Sequence, residues 1–368
     1  MAVLRFLKKN IVFSVAAVAA AVTCFLVPPD KEYLGYFDWK TLACLFLTLA
    51  VVCALRNIKF FTIVARRLVR ISGNLRGLFL MLIAITFLGS MLIANDMALI
   101  TFLPLGYFAL SVAHQERYMA YLFILQNISA NLGGMLTPFG NPQNLYLYSY
   151  FHIPTGEFCR IMLPPFLLAI TLLALCCLPI KAVKLTIEDS FSEPLNKRRT
   201  TLYLALFALS LLIVFRVVPY WIGLVLITGV LLWSDREALL MVDYGLLGTF
   251  FFFFIFAGNL ARLPAVNELV STLLAKDTLL VSTLSCQAIS NVPSAILLSQ
   301  FTDNYHALLL GVNIGGTGTL IASLASLITF SEFRVLYPGR TKQYFWMFTA
   351  VNVGFLVIMT VAAKLFFL

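Results

Sequence analysis

Charge is scarce in this chain: only 11% of its 368 residues are Asp, Glu, Lys or Arg, and three are His. Water-soluble domains carry about a quarter charged residues, so the deficit excludes a soluble enzyme. With 61% hydrophobic residues, disorder is excluded as well. Paired or metal-type cysteine spacing is missing. Cys24, Cys44, Cys53, Cys159, Cys176, Cys177 and Cys286 form no CxxC, sit near no His pair and have mostly apolar neighbours, so they read as small hydrophobes. Also absent are a Walker A loop, HExxH, and GxSG with a following intramembrane His. Gly315-Gly316-Thr317-Gly318 lies in an apolar run and lacks the Lys of a phosphate loop. The sequence therefore predicts no enzyme, no resident cofactor and no metal beyond a sodium ion.

What the chain has instead is long apolar runs. They lie at about 11–27, 40–55, 77–93, 97–113, 118–152, 161–180, 201–215, 217–233, 245–261, 278–303, 305–329 and 344–366. Roughly 20 apolar residues cross a hydrocarbon core, so the sequence predicts an all-α polytopic membrane protein of about ten crossings. Arg5, Lys8 and Lys9 before the first run suggest a signal peptide. The run continues through Leu26 with no small-x-small site, which predicts an uncleaved first helix.

The net charge of +10 reads as topology and not as nucleic-acid binding. With a cytoplasmic N-terminus and two hairpins that enter the membrane and return, 19 of the 26 basic residues fall inside. That bias predicts a multi-pass plasma (inner) membrane protein. Between Arg56 and Arg76 basic and apolar residues alternate, as in an amphipathic helix on the cytoplasmic face. Arg216 and Arg262 are expected at outer interfaces and His114, His152 and His306 near span ends.

An internal repeat organises the chain. Asn131-Leu-Gly-Gly-Met-Leu-Thr-Pro-Phe-Gly-Asn-Pro-Gln-Asn144 aligns without gaps to Asn313-Ile-Gly-Gly-Thr-Gly-Thr-Leu-Ile-Ala-Ser-Leu-Ala-Ser326, so residue 131 falls opposite residue 313, an offset of 182. Upstream of each copy a polar break interrupts an apolar run, Ala94-Asn95-Asp96 and Ser290-Asn291-Val292-Pro293. The predicted architecture is an inverted-repeat secondary transporter with two re-entrant hairpins and two broken transmembrane helices. Residues 1–39 hold a first helix and an outer loop. Residues 40–181 form the first repeat, with hairpin 77–113 and broken helix 118–152; residues 182–200 are a cytoplasmic linker; residues 201–368 form the second repeat, with hairpin 278–303 and broken helix 305–329.

Backbone freed by a break at membrane depth must be buried or line a cavity. Carbonyls at such ends suit a small cation and helix N-termini suit an anion. The substrate set expected there is Asn95, Thr137, Asn141, Asn144, Asn291, Thr319, Ser323 and Ser326. The coupling set is Asn95, Asp96, Gly140, Ser290, Asn291 and Ala322. A lone Asn or Ser in a membrane helix also serves as interhelical glue, but glue does not explain recurrence at matched offsets. Asp96 is the one acid deep in an apolar run, which makes it a candidate to ligate a cation or carry a proton.

These motifs resemble the ion transporter superfamily of arsenite permeases, NhaD-type sodium/proton antiporters, citrate permeases and divalent anion/sodium symporters. Ala94-Asn-Asp-Met-Ala-Leu-Ile-Thr-Phe-Leu-Pro104 is similar to the first hairpin of arsenite permeases. Asn131 to Asn144 is similar to the broken helix of the citrate and NhaD branches. Asn291-Val-Pro and Gly311-Val-Asn-Ile-Gly-Gly through Thr319-Leu-Ile-Ala-Ser-Leu-Ala325 resemble the second-half elements. The resemblance covers roughly residues 40–366 and implies a homodimer whose transport units carry substrate by an elevator motion. It departs from the symporter Ser-Asn-Thr signature, since Asp96 follows Asn95 and Val292 follows Asn291. The expected function is ion-coupled transport, by sodium or proton, of a small anion such as citrate or succinate. Alternatives are arsenite or antimonite efflux, sodium/proton antiport, and, in another class, an intramembrane enzyme or a non-transporting subunit.

Overall fold

The computed structural model describes residues 11–69, 72–184 and 195–368. Arg5, Lys8, Lys9, Arg70 and linker residues 185–194 lie outside the described residues. The described chain is helical, and seven of its helices are long and apolar enough to cross a membrane.

Helix α1 (Ile11–Leu26) packs along a later helix, and α2 (Trp39–Asn57) starts from an Asp38 cap whose Oδ1 accepts the Thr41 N–H at 3.0 Å. The basic surface helix α3 (Phe60–Val69) precedes α4 (Leu75–Ile93) and α5 (Asn95–Val112), which pack together as a hairpin. α6 (Met119–Gly133) and α7 (Pro142–Tyr150) are the two pieces of a broken helix, and α8 (Thr155–Cys177) follows. Then come α9 (Lys197–Val214), α10 (Tyr220–Ser234), α11 (Arg236–Leu240) and α12 (Tyr244–Ala261), the partner of α1. α13 (Pro264–Ile289) and α14 (Asn291–Leu298) make the second hairpin, α15 (Tyr305–Ile314) and α16 (Leu324–Leu336) the second broken helix, and α17 (Thr341–Ala362) closes the fold.

Three boundaries differ from the apolar runs. α8 begins at Thr155 and not 161, because Pro154 ends the preceding loop and Glu157 in the first turn is held by the Tyr305 hydroxyl at 2.6 Å. Helix also fills 264–276, where no span was expected. Pro264 starts it, and the break at Asp277 (φ −161°) caps the next segment through the Leu280 N–H. α16 runs on to Leu336, past the apolar run, into Glu332 and Arg334 at its exposed end.

Loop contacts sort into two opposite ends of the bundle. At one end Asn57 bonds Asp235 at 3.1 Å, Arg76 Nε donates to Ile180 O at 2.9 Å, and Tyr118 meets Phe79. At the other, Arg262 pairs with Asp30, Lys364 with Asp277 and Tyr305 with Glu157. α8 runs between them, from Glu157 to a C-terminal turn where Tyr121 donates to Cys176 O. The α4–α5 hairpin starts at Arg76 and leads to Tyr118 in the first group of contacts, and the second hairpin starts from Asp277 in the other.

Candidate functional site

Each hairpin turns on one residue in a backbone region that L-residues rarely enter: Ala94 at φ 63°, ψ 152° and Ser290 at φ 75°, ψ 158°. Such conformations cost about 1–3 kcal/mol each and persist only where surroundings impose them. In both hairpins the next residue is Asn, and its Oδ1 accepts the following N–H at 2.9 Å, Asn95 from Asp96 and Asn291 from Val292. Both breaks also match: a short 3-10 turn, then an extended residue at the foot of the second piece, Asn141 at φ −136°, ψ 143° and Ser323 at φ −151°, ψ 144°.

The two halves are tied by reciprocal bonds. Asn131 Oδ1 accepts Ser323 Oγ–H at 2.8 Å, and the equivalent pair, Asn141 Nδ2 to Asn313 Oδ1, closes at 3.3 Å. A contact that recurs with its partners exchanged is the mark of a two-fold relation. Asn131 Oδ1 also accepts Asn95 Nδ2 at 3.1 Å, so the first hairpin tip joins the same knot. Close backbone approach needs the glycines here. A Cβ on Gly133 would lie 2.2 Å from Phe87 O, and one on Gly140 would lie 2.3 Å from Gly134 O.

Beside this knot lies a cavity of about 710 Å³, and its wall includes the first residues of four helices: Asn95 and Asp96 of α5, Pro142 and Gln143 of α7, Asn291 and Val292 of α14, Leu324 of α16. Phe13 of α1 and Thr249 of α12 complete one side. Toward the end marked by Asn57 and Arg76 the wall carries Asp243, Glu332 and Arg334. A helix N-terminus carries about half a positive charge, so four together favour an anion, with the N–H groups of Asp96, Val292 and Ala325 already accepted by Asn95 Oδ1, Asn291 Oδ1 and Ser323 Oγ.

Of the expected residues, Asn95, Asp96, Ser290, Asn291 and Ser323 line this cavity. The others are spent on holding the breaks. Thr137 donates to Met91 O at 2.8 Å and Thr319 to Gln287 O at 3.2 Å, the same tie in each half. Asn144 Nδ2 reaches Gly134 O, Met135 O and Thr137 O, while its Oδ1 accepts Asn313 Nδ2 at 2.6 Å. Ser326 accepts from Asn127 at 3.3 Å. Asn141 stands one residue outside the cavity with its Oδ1 buried and unpartnered among the described residues.

For a small cation, oxygens gather at the second hairpin tip and at the break of the first broken helix. Ser290 Oγ lies 3.4 Å from Asn291 Oδ1 and 3.3 Å from Ala322 O. A Cβ on Gly134 would sit 2.4 Å from Asn141 Oδ1 and 2.7 Å from Gly140 O, which puts two oxygens around one small space. Neutral oxygens of this kind suit hard cations. Among the described residues no cluster of three His, Cys, Asp or Glu could hold a metal, and all seven cysteines are free.

Arg262 is away from the cavity. It meets Asp30 through two bonds of 3.0 and 2.6 Å and Glu32 at 3.2 Å, and the guanidinium holds the Asp30 carboxyl below the usual carboxylate range. Arg216 lies over the Tyr148 ring at 4.3 Å and donates to Tyr148 O. His114 and His152 sit just past helix ends at φ 51° and 52°. The site residues missed by the sequence reading are Asn131, Asn313 and Gln143, all inside the aligned repeat, and Phe13, Asp243 and Thr249, for which the sequence holds no signal.

The chain matches the model of a citrate transporter family over residues 2–307. It is 33% identical over 346 residues to an uncharacterized transporter of Methanocaldococcus jannaschii, covering 91% of this chain and 92% of that one. It is 28% identical over 366 residues to the Escherichia coli inner membrane protein YbiR, covering 96% of this chain and 94% of that one. A shorter match, 33% over 156 residues, joins 42% of the chain to 31% of the silicon efflux transporter LSI3 of Oryza sativa subsp. japonica.

Proposed function

The chain belongs to the citrate transporter family, and from that premise we propose that it is an ion-coupled secondary transporter of a di- or tricarboxylate such as citrate or succinate. The observation that carries the reading is the convergence of four helix N-termini on one cavity. Carboxylates bound there are held by the positive ends of the four helices and by the side-chain amides of Asn95 and Asn291.

The mouth carrying Asp243, Glu332 and Arg334 lies at the end where basic residues gather, which the positive-inside bias makes the cytoplasmic one. We read this as an inward-open state with the N-terminus cytoplasmic. The hairpins enter the membrane from opposite sides and return, in repeats spanning 40–181 and 201–368. Knotted by Asn131, Ser323, Asn141 and Asn313, they and the broken helices move as one body against the scaffold of a homodimer, in an elevator stroke. Sodium at the two oxygen clusters, or a proton on Asp96, supplies the coupling. Asp96 Oδ1 is buried without a partner among the described residues, and a carboxylate there repels a bound anion unless a proton or cation neutralises it.

A second reading, efflux of an uncharged oxyacid such as arsenite, is favoured by one observation: Asp96, Asp243 and Glu332 outnumber Arg334 on the cavity wall. Thermal stabilisation of the purified protein separates the two. Citrate, succinate, malate, sulfate and arsenite are each added with sodium or potassium. A ligand at 100 times its dissociation constant stabilises by about 2.7 kcal/mol. A carboxylate shift supports the proposal, and a shift with arsenite alone replaces it by the second reading.

A further inference from the structure

The two halves of the cavity are not chemically equal. By the repeat offset of 182, Gln143 corresponds to Ala325; by the hairpin offset of 196, which takes Asn95 to Asn291, Asp96 corresponds to Val292. One half thus presents an amide and a carboxyl where the other presents a methyl and an isopropyl group. Gln143 is 1% exposed, stands in the first turn of α7 on the cavity wall, and its side chain has no hydrogen-bond partner among the described residues. Its Oε1 is a buried acceptor without a donor. An unmet buried acceptor is destabilising, and a donor brought to the cavity wall by a bound molecule would relieve it.

A fully ionised dicarboxylate offers only acceptors. Its carboxylates take the positive helix ends and the side-chain amides of Asn95 and Asn291 and leave Oε1 of Gln143 empty. A hydroxyl on the carbon beside a carboxylate supplies the missing donor and can in turn accept from the Gln143 amide. We propose that Gln143 is the specificity residue of this transporter and that it selects hydroxy acids over the same acids lacking the hydroxyl. The inference rests on the carboxylate reading of the cavity. It also fixes the substrate's direction: the hydroxylated end lies against α5 and α7, and the plain end against Val292.

Sites that hydrogen-bond a substrate hydroxyl discriminate strongly against the analogue without it, since the protein group is then left unpaired. The test is uptake into proteoliposomes of two matched pairs, malate against succinate and citrate against tricarballylate, by wild type, Gln143→Met and Gln143→Ala. Methionine keeps the volume, and the Ala325 methyl shows that the smaller side chain is accepted at the equivalent place in the fold. Wild type is expected to favour the hydroxy acid by at least about tenfold in kcat/KM. Both variants are expected to erase that ratio by losing uptake of the hydroxy acid more than uptake of its partner without the hydroxyl. Equal wild-type use of the paired acids overturns the inference. So does a variant that loses both acids in proportion, which marks a structural role, or one that changes sodium dependence with the ratio intact, which makes Gln143 a cation ligand. Wild type that takes up no carboxylate defeats the underlying reading instead, and this inference with it.

Discussion

The knot around Asn131 makes a quantitative prediction. Its Oδ1 accepts two bonds, from Ser323 Oγ at 2.8 Å and from Asn95 Nδ2 at 3.1 Å, and so joins a hairpin tip and both broken helices. Interhelical hydrogen bonds in membrane proteins average about 0.6 kcal/mol and reach about 1.7, so Asn131→Ala should destabilise by about 1–3 kcal/mol. Ser323→Ala loses one of these bonds and also the cap on α16, where Ser323 Oγ accepts the Ala325 N–H at 3.2 Å, a further 0.5–2 kcal/mol or so. The double variant cannot lose the shared bond twice. The cycle should therefore miss additivity by about 0.6–1.7 kcal/mol. Unfolding in mixed detergent micelles, followed by tryptophan fluorescence, measures all four corners. Losses that add to within about 0.3 kcal/mol would falsify the claim that this bond joins the two halves. The equivalent pair, Asn141 and Asn313, is longer at 3.3 Å, and its cycle should fall at the low end of the same range.

Three further outcomes are expected. Asp96→Asn should leave folding intact and flatten the pH or cation dependence of transport, because the amide is uncharged at every pH; an unaltered dependence in proteoliposomes removes Asp96 from coupling. Gly133→Ala places a methyl 2.2 Å from Phe87 O, and since backbone must move to admit it, a loss of about 1–3 kcal/mol and of transport is expected; wild-type melting and uptake would contradict the close packing of α6 on α4. The Asp30–Arg262 link follows a defined sign: a carboxyl whose folded pKa is lowered stabilises above its ordinary value of 3.8, and that contribution is lost as pH falls below it. Thermal unfolding should show a larger loss of stability between pH 6 and pH 2 in wild type than in Arg262→Ala, and equal losses would contradict the link.

The hairpin breaks and the broken helices were legible because each violates apolar periodicity at membrane depth, and their repetition announced that two units share one plan. Asn95, Asp96, Ser290, Asn291 and Ser323, which line the cavity, were named for that reason. Thr137, Thr319, Asn144 and Ser326 obey the same pattern and yet face inward to carbonyls and amides of the protein. Sequence spacing marks a polar residue at a break and does not say which way its side chain turns. The helix over 264–276 went unread because it lies outside the long apolar runs.

Composition alone determined that the chain lives in a bilayer, since scarce charge and long apolar runs leave no other solvent in which its surface is stable. The repeat, read by offset, determined that two like units exist. Only the tertiary structure decided that they meet through Asn131 and Ser323, Asn141 and Asn313, because a two-fold contact is a relation between distant segments. It alone brought Phe13, Asp243 and Thr249 to the cavity, and it alone left the Gln143 Oε1 unpartnered at the cavity wall among the described residues while the Asn144 amide is spent on carbonyls and on Asn313. Those directions are set by helix rotation and packing, which spacing along a chain does not encode.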